Sequence, residues 1–263
     1  MIRGLYTAAS GMVAQQQNID VISNNIANVN TTGFKQDRAE FQDLMYQSLN
    51  YTAGATSSTT NNPTGIDVGL GVKTAAVKKD FMQGTLQNTG GDFDMAIAGR
   101  GFFKVEMPNG DEAYTRDGVF TPTGPGGTLV NSSGYPLVDQ IDIPTGTTKI
   151  SIGQDGKIEG ILAGDTLPTD LGEVFLTDFI NPSGLNPIGK NLYLASSTSG
   201  NGVVNTPGLN GLGTIEAGFI EKSNVQLVTE MVNLITAQRA YEANSKSITT
   251  TDTMLQTVNQ LKR

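Results

Sequence analysis

Apolar residues recur every seven positions at both ends of the chain, and the long segment between them follows a different pattern. The repeat consists of Leu5, Met12, Ile19 and Ile26 near the start and of Leu227, Leu234, Tyr241, Ile248 and Leu255 near the end. Residues seven apart lie on nearly the same side of an α-helix, so each end is predicted to form a helix with one narrow apolar face. Such a face is too thin for a globular core, and the expected partners are the opposite terminus and other copies of the chain.

Local signals mark the ends of the predicted elements. The first helix is expected to run from about Gly4 to Asn28, with Gly33 beyond an Asn/Thr run as its stop signal. The last helix is expected from about Ser223 to Gln260, because Ser223 and the Gln three residues later fit a capping box. A short helix is also predicted over Gln36–Leu49, where charged and apolar residues lie on opposite sides.

The stretch Tyr51–Gly65 is rich in Thr, Ser, Asn and Gly. Its composition indicates either a disordered linker or an extended segment that becomes ordered only against a neighbouring subunit. From about Leu70 to Glu216 the pattern changes to short strands separated by Gly-rich turns. Asn109-Gly110 and Asp155-Gly156 each separate two alternating runs and predict β-hairpins.

These elements predict an α+β protein. The N- and C-terminal helices are expected to pair as a coiled-coil-like stalk. No long helical stretch separates the predicted strands, so the middle of the chain is expected to be an antiparallel all-β domain. The predicted segments are an N-terminal helix over 1–35, an extended connector over 36–69, a β-rich domain over 70–222 and a C-terminal helix over 223–263.

Composition narrows the function. The net charge is -8, and no Lys/Arg cluster offers a surface for nucleic acid or an anionic membrane. The chain has no Cys and no His, which removes thiolate ligands and the commonest general base. Carboxylates, Ser and Lys remain, so these absences disfavour an enzyme without excluding one, and no catalytic, metal or cofactor residue is assigned. The N-terminus lacks the apolar core of a secretory signal, and no stretch approaches ~20 apolar residues, so these features alone predict a soluble cytoplasmic protein.

Two short motifs could carry chemistry. Asp92 and Asp94 lie in a Gly-rich stretch and could hold Ca²⁺ or act as an acid/base pair. The further ligands and spacing of a calcium loop are missing, so solvated turn carboxylates are the favoured interpretation. Arg116-Asp117-Gly118 is similar to a short adhesion tripeptide, but such triplets arise readily by chance in ordinary turns.

Four stretches carry a resemblance to a known family. The run from Ser23 to Lys35 resembles the N-terminal signature of the bacterial flagellar rod and hook proteins, and its signature residues are Asn24, Asn25, Asn28, Gly33 and Phe34. The other three stretches, Arg38–Tyr46, Gly99–Gly118 and Thr206–Glu242, resemble a distal-rod signature, the β-domain motif and the C-terminal signature of the same family. The resemblance covers essentially the whole chain.

The resemblance implies a structural subunit of the flagellar distal rod. Family members polymerise helically into a hollow tube, with paired terminal helices inside and β-domains outside. The implied partners are other copies of the chain, the proximal rod and hook proteins, the P-ring and L-ring proteins, the export apparatus and the rod cap. The implied location is the basal body, from the periplasm to the outer membrane, after export without a cleaved signal peptide. The segment marked by Tyr51, Thr60, Asn61, Pro63 and Gly65 is associated with straight, stiff tubes.

Three alternatives remain open at this point. The chain could be another axial subunit, of the proximal rod or of the hook. It could be a secreted enzyme that modifies the cell wall, with Asp92 and Asp94 in a cleft. It could also be a secreted β-rich binding module that the helices anchor, which predicts a stable folded monomer.

Overall fold

The computed structural model describes residues 2–50, 55–57, 60–61, 65–124, 126–139, 141–164 and 167–261. These residues form two α-helices, α1 (Ile2–Ala27) and α2 (Leu227–Leu261), and 21 strands. The strands are β1 (Asp37–Asp43), β2 (Tyr46–Asn50), β3 (Ala55–Ser57), β4 (Thr60–Asn61), β5 (Ile66–Gly69), β6 (Val72–Lys79), β7 (Leu86–Asn88), β8 (Met95–Ala98), β9 (Phe103–Glu106), β10 (Glu112–Thr115), β11 (Phe120–Thr123), β12 (Thr128–Asn131), β13 (Thr147–Ile152), β14 (Lys157–Leu162), β15 (Thr169–Glu173), β16 (Leu176–Asp178), β17 (Asn186–Gly189), β18 (Leu192–Leu194), β19 (Val203–Asn205), β20 (Thr214–Ala217) and β21 (Phe219–Glu221).

The chain divides into two compact units. The helix–ribbon unit comprises Met1–Ala27, Asp37–Lys78 and Gln226–Arg263. The β-unit comprises Asn28–Gln36 and Lys79–Val225. The predicted α+β class is confirmed, because two helices combine with many antiparallel strands in small sheets.

The two helices of the helix–ribbon unit run antiparallel to each other. A Cβ atom built on Gly11 would lie 2.9 Å from Asn244 Nδ2, and Asn25 Nδ2 donates a hydrogen bond of 3.2 Å to Glu230 Oε2. These two contacts are separated by the same number of residues on each helix, in opposite chain directions. Within the described residues, neither helix is long and apolar enough to cross a membrane.

Small or polar residues occupy most of the buried positions of the helix pair, namely Ala8, Ala14 and Asn25 on α1 and Glu230 and Ala237 on α2. Ile22 is also buried on α1. Small side chains let the two helix axes approach closely, which explains why Gly11 can touch Asn244. The predicted helix start at Ser223 is wrong, because α2 begins at Leu227. The Ser223 hydroxyl instead accepts a hydrogen bond from the Val225 N–H at 3.3 Å, within an extended lead-in.

A two-stranded β-ribbon follows α1. Strand β1 pairs with β6, β2 pairs antiparallel with β5, and β3 pairs antiparallel with β4. The predicted helix over Gln36–Leu49 is wrong, since this segment forms β1 and β2. Pairing with a distant strand decided its structure, whereas the sequence interpretation considered only the local spacing of charged residues.

The β-unit contains the main apolar core. Its buried side chains come from strands distributed over the whole unit and include Met95, Phe103, Leu129, Ile158 and Leu176. Both predicted hairpins are confirmed: β9 pairs with β10 across Asn109-Gly110, and β13 pairs with β14 across Asp155-Gly156. Gly110 and Gly156 adopt φ values of 83° and 88°, which glycine reaches without strain. These turns fix the register of the sheets.

The stretch Glu173–Ile180 contains the end of one strand and the start of another. Strand β15 pairs with β14 and ends at Glu173, whereas β16 begins at Leu176 and pairs with β19. Between them, the Phe175 N–H donates to Asp139 Oδ2 at 3.1 Å. The chain therefore passes from one sheet to another at this point.

Candidate assembly site

The residues of the terminal heptad repeats lie along the two helices of the helix–ribbon unit. Seven of them are half-buried, namely Leu5, Met12, Ile19, Ile26, Leu234, Ile248 and Leu255. Leu227 and Tyr241 are exposed, at 41% and 39% of their surface. Contact between α1 and α2 therefore leaves part of the heptad surface open, and that open part is available to a further partner.

A second apolar face of α2 is left uncovered by the part of the chain that the structure describes. Val228, Met231, Val232 and Ile235 are all at least half exposed, with exposures of 76%, 51%, 54% and 50%. Their spacing of three, four and seven residues places them in one stripe on a helix, on the side opposite buried Glu230 and Ala237. We call these four residues the α2 stripe. An uncovered stripe of this kind on a helix that already packs with its other side is typical of a protein–protein interface.

Other apolar side chains of the helix–ribbon unit are equally uncovered. On the helices they are Tyr6, Val13, Met254, Val258 and Leu261, and on the β-ribbon they are Phe41, Met45, Tyr46, Leu49, Ile66, Leu70 and Val77. A two-stranded ribbon has little core of its own and is at best marginally stable alone in water. The exposed apolar side chains of the ribbon therefore indicate a surface that becomes buried against another molecule.

Two signature asparagines organise the end of α1 within the helix–ribbon unit. Asn25, which is almost completely buried, donates from Nδ2 to the backbone oxygen of Asp37 at 2.8 Å and accepts the Asp37 N–H at 2.9 Å. The same Nδ2 group also donates to Glu230 Oε2. Asn24 donates to Asp37 Oδ2 at 3.4 Å. One amide side chain thus joins the end of α1, the start of β1 and the first turn of α2.

The remaining signature residues lie in the β-unit. Asn28 accepts a hydrogen bond from the Thr31 hydroxyl at 3.1 Å, which shapes the turn after α1. The Gly33 N–H donates to the Glu221 carbonyl at 2.8 Å. Lys79 Nζ lies 5.2 Å from the centroid of the Phe34 ring, a cation–π contact. These contacts hold the short segment that follows α1 in a defined path.

Replacing Gly33 by Ala is expected to destabilise the β-unit by ~3 kcal/mol. Gly33 has a φ of 66°, and a Cβ atom there would lie 2.7 Å from the Asp117 nitrogen and 2.8 Å from the Arg116 carbonyl carbon. Both atoms belong to the backbone and cannot move aside cheaply. Urea unfolding of the full chain measures the loss in the free energy of unfolding of the β-unit.

Gly110→Ala is the matched control for Gly33→Ala. Gly110 also has a positive φ of 83°, but no atom lies within 4 Å of its built Cβ. We expect this variant to lose only ~1 kcal/mol, the cost of the backbone conformation alone. Equal losses in the two variants would contradict the close packing of Gly33 against the Arg116–Asp117 backbone.

A buried ionic cluster lies beside this segment. Lys35 Nζ donates to Glu221 Oε1 at 2.6 Å and to the Met82 carbonyl at 2.8 Å, and neither charged side chain has any solvent exposure. Arg116 Nη1 lies 3.5 Å from Glu221 Oε2 and donates to the Gly99 carbonyl at 2.9 Å. The Gly84 N–H also donates to Glu221 Oε1, at 2.8 Å. One carboxylate therefore serves two buried cations and one backbone amide.

Burial is the dominant electrostatic influence on this cluster. Burial lowers the pKa of the Lys35 amine, and the attraction of Glu221 offsets only part of that effect. Burial likewise lowers the pKa of the Arg116 guanidinium. Arg116 Nε finds no hydrogen-bond partner among the described residues, although its guanidinium lies 5.2 Å from the centroid of the Phe102 ring. Burying these charges carries a desolvation cost, and the hydrogen bonds of the cluster link the segments that contribute to it.

The sequence interpretation missed this cluster. A single Lys or Glu in a polar context is normally a solvated charge, and Lys35 and Glu221 are too far apart in the chain to suggest a pair. The available signal was indirect, because Lys35 and Arg116 both fall inside stretches that resemble family motifs. Arg116 and Asp117 are both buried, so Arg116-Asp117-Gly118 is not presented at the surface as an adhesion motif would be.

The other candidate positions are placed as follows. Asp92 is exposed and Asp94 is half-buried in a turn, where the Thr89 hydroxyl donates to the Asp94 carboxylate. Within the described part of the chain, no group of three acidic residues is arranged to hold a metal ion. The segment that the family resemblance associates with straight, stiff tubes is described only in part. Thr60 and Asn61 form β4 and Gly65 precedes β5, whereas Tyr51 and Pro63 lie outside the described residues.

Three family models match the chain. The model described as flagella basal body rod protein matches residues 5–35, which span most of α1 and the segment after it. The model of the flagellar hook protein FlgE/F/G D1 domain matches residues 96–160. The model of the flagellar basal body rod FlgEFG protein C-terminal region matches residues 216–261, which include α2.

Curated relatives match the chain over its full length. The flagellar basal-body rod protein FlgG of Buchnera aphidicola subsp. Schizaphis graminum is 46% identical over 99% of this chain and 100% of the relative. FlgG of Caulobacter vibrioides is also 46% identical, over 99% of this chain and 100% of the relative. The flagellar basal-body rod protein FlgF of Caulobacter vibrioides is 35% identical over 95% of this chain and 94% of the relative.

Proposed function

The chain belongs to the flagellar basal-body rod protein family, and from this premise we infer that it is a structural subunit of the flagellar distal rod and not an enzyme. Its higher identity to FlgG than to FlgF within one organism favours the distal rod over another rod segment. We propose that copies of the chain polymerise helically into a straight, rigid, hollow shaft. Such a shaft would transmit torque from motor to hook and allow export through its lumen.

The observation that carries this proposal is the uncovered α2 stripe. Helix α2 packs against α1 with one side and presents Val228, Met231, Val232 and Ile235 on the other. A second copy of the chain is the proposed occupant, because a polymer buries the same surface in every subunit. In this proposal α1 and α2 pair as a coiled-coil-like unit, and the heptad residues and the stripe together form the interfaces of the axial core. Burial of such apolar surface is the main driving force for association.

The β-ribbon is the second assembly element that we propose. Its apolar side chains, among them Met45 and Tyr46, are too exposed for a ribbon that stands alone. Docking on neighbouring subunits would bury them and cross-link the tube. The family resemblance associates the segment marked by Tyr51, Thr60, Asn61, Pro63 and Gly65 with a straight, stiff tube. The region 36–69 would therefore stiffen the rod, while 1–35 and 223–263 form its core and 70–222 its outer domain.

The remaining partners follow from the position of a distal rod. Its ends would meet the proximal rod and the hook proteins, its outer surface the P-ring and L-ring proteins, and its growing tip the rod cap. The chain would reach this place through the flagellar export apparatus, without a cleaved signal peptide, and would span the periplasm to the outer membrane. The absence of Cys suits this route, since no disulfide can form before the chain is threaded through the channel.

The proposal is tested in a deletion strain, made by removing the bacterium's own copy of this gene from a motile species, by asking whether the chain restores its rods. The full chain is expected to restore swimming and to give isolated basal bodies with straight distal rods. A variant whose residues 46–69 are replaced by Asn-Gly retains the β1–β6 pairing, because this dipeptide closes a two-residue hairpin. It is expected to lose straight rods and swimming. A full chain that is exported but leaves basal bodies without distal rods would contradict the proposed function.

A further inference from the structure

The chain crosses between its two units at four places. It enters the β-unit at Asn28, leaves it after Gln36, enters again at Lys79 and leaves finally after Val225. Three short segments of the β-unit therefore carry every crossing, namely residues 28–36, 79–85 and 219–225. Mechanical force that is transmitted along the covalent chain between the helices and the β-unit must therefore pass through these three segments.

A single ammonium group joins these three segments. Lys35 belongs to the first, its Nζ bonds the Met82 carbonyl of the second at 2.8 Å, and it bonds Glu221 of the third at 2.6 Å. Lys35 and Glu221 are both fully buried. No apolar side chain could replace these bonds, because directional donors are needed to hold a carbonyl and a carboxylate at once.

Backbone and amide hydrogen bonds between the same three segments surround this ammonium group. The Gly33 N–H donates to the Glu221 carbonyl, the Asp80 N–H to the Gln36 carbonyl, and the Lys222 N–H to the Thr85 carbonyl, all at 2.8–2.9 Å. Asn224 accepts the Gln36 N–H at 2.8 Å and donates to the Asp80 carbonyl at 2.9 Å. Each segment is therefore tied to both of the others.

We infer that Lys35, Glu221 and Arg116 form a clamp that fixes the path of the three crossing segments, and that Lys35 is its central positioning residue. Arg116 contacts the other oxygen of the Glu221 carboxylate and donates to the carbonyl of Gly99, the residue that follows β8. Because a buried ion pair can often be replaced by apolar side chains without loss of stability, the clamp acts in this proposal on the path of the segments and not on stability. Its role in a rod, which rests on the function proposed above, is to make the connection stiff enough to carry torque.

Lys35→Met tests the clamp without leaving a charge unbalanced. Methionine has a similar length and no charge, and it leaves the Arg116–Glu221 pair intact. In the full soluble chain, hydrogen exchange of residues 28–36, 79–85 and 219–225 is expected to accelerate about tenfold. Exchange in β9 and β10 is expected to stay unchanged, and the thermal midpoint of the β-unit is expected not to fall. Lys104→Met, which breaks the ion pair with the half-exposed Glu112 side chain of the same unit, is expected to change none of these quantities.

Two results would overturn the clamp. One is unchanged exchange in the three segments. The other is equal acceleration in β9 and β10 together with a lower thermal midpoint, because Lys35 would then act as a general stability element. In the deletion strain used to test the proposed function, cells that carry Lys35→Met are expected to assemble rods but not to swim. Swimming at the wild-type level would count against torque transmission through Lys35. If the wild-type chain gives no rods, the proposed function fails, and hydrogen exchange still decides the clamp.

Discussion

Val232→Asp is expected to abolish polymerisation while leaving the isolated chain folded. Val232 is 54% exposed at the centre of the α2 stripe, so a carboxylate there remains in water in the monomer. In a polymer that covers the stripe, the same carboxylate would be buried without a partner, at a cost of several kcal/mol. At ~1.4 kcal/mol for each factor of ten, the concentration needed for polymerisation should rise at least about 100-fold. Sedimentation of polymer at increasing protein concentration measures this shift.

Ser247→Asp is the matched control for this variant. Ser247 is exposed on the same helix, about four turns away, and lies about 110° around the helix axis from the centre of the α2 stripe. Ser247→Asp introduces the same charge and is expected to leave polymerisation nearly unchanged. Circular dichroism should give the same helix content for both variants as monomers. Polymerisation of Val232→Asp at wild-type concentrations would show that the stripe stays uncovered and would remove the main support for the proposed interface.

Glu221→Gln is expected to destabilise the β-unit by about 3–5 kcal/mol. The substitution removes the one carboxylate that lies between two buried cations, Lys35 and Arg116. Both cations would then remain buried without a counter-charge, and the amide would also present donor hydrogens toward them. A loss of this size is a large fraction of the stability of an ordinary domain. Urea unfolding of the full chain at neutral pH measures it.

Glu112→Gln provides the comparison at the surface of the same unit. Glu112 accepts a hydrogen bond from Lys104 at 3.0 Å, but half of its side chain is exposed. Solvent-exposed pairs contribute ~0–1 kcal/mol, so this variant is expected to lose little. If Glu221→Gln were no more destabilising than Glu112→Gln, the three charges could not form the tight buried cluster described above.

Elements with strong local signals were predictable from the sequence. The seven-residue repeats gave both helices to within a few residues, and the Asn-Gly and Asp-Gly turns gave two hairpins, because each signal lies within one element. The β-ribbon was not predicted. Residues 37–50 contain charged and apolar side chains at spacings that suit a short helix, and only pairing with β5 and β6 makes them strands.

The candidate site was predictable only in part, for two physical reasons. The heptad residues stood out because a repeat is visible in one dimension, but the exposure of the α2 stripe depends on which side of α2 faces α1. Ala237 and Glu230 face α1, so the more apolar side, which includes Val228 and Val232, points to solvent. The Lys35–Glu221–Arg116 cluster joins three distant parts of the chain, and no local pattern distinguishes a buried charge from a solvated one.

The central claim is that the chain assembles with itself through its terminal helices. Electron microscopy of the purified full chain at high concentration, with circular dichroism before and after incubation, tests it most directly. Helices that are weak alone should gain order on assembly, so we expect straight hollow tubes together with an increase in helix content. A folded chain that stays monomeric at every concentration, with unchanged helix content, would contradict self-assembly and would favour a binding module.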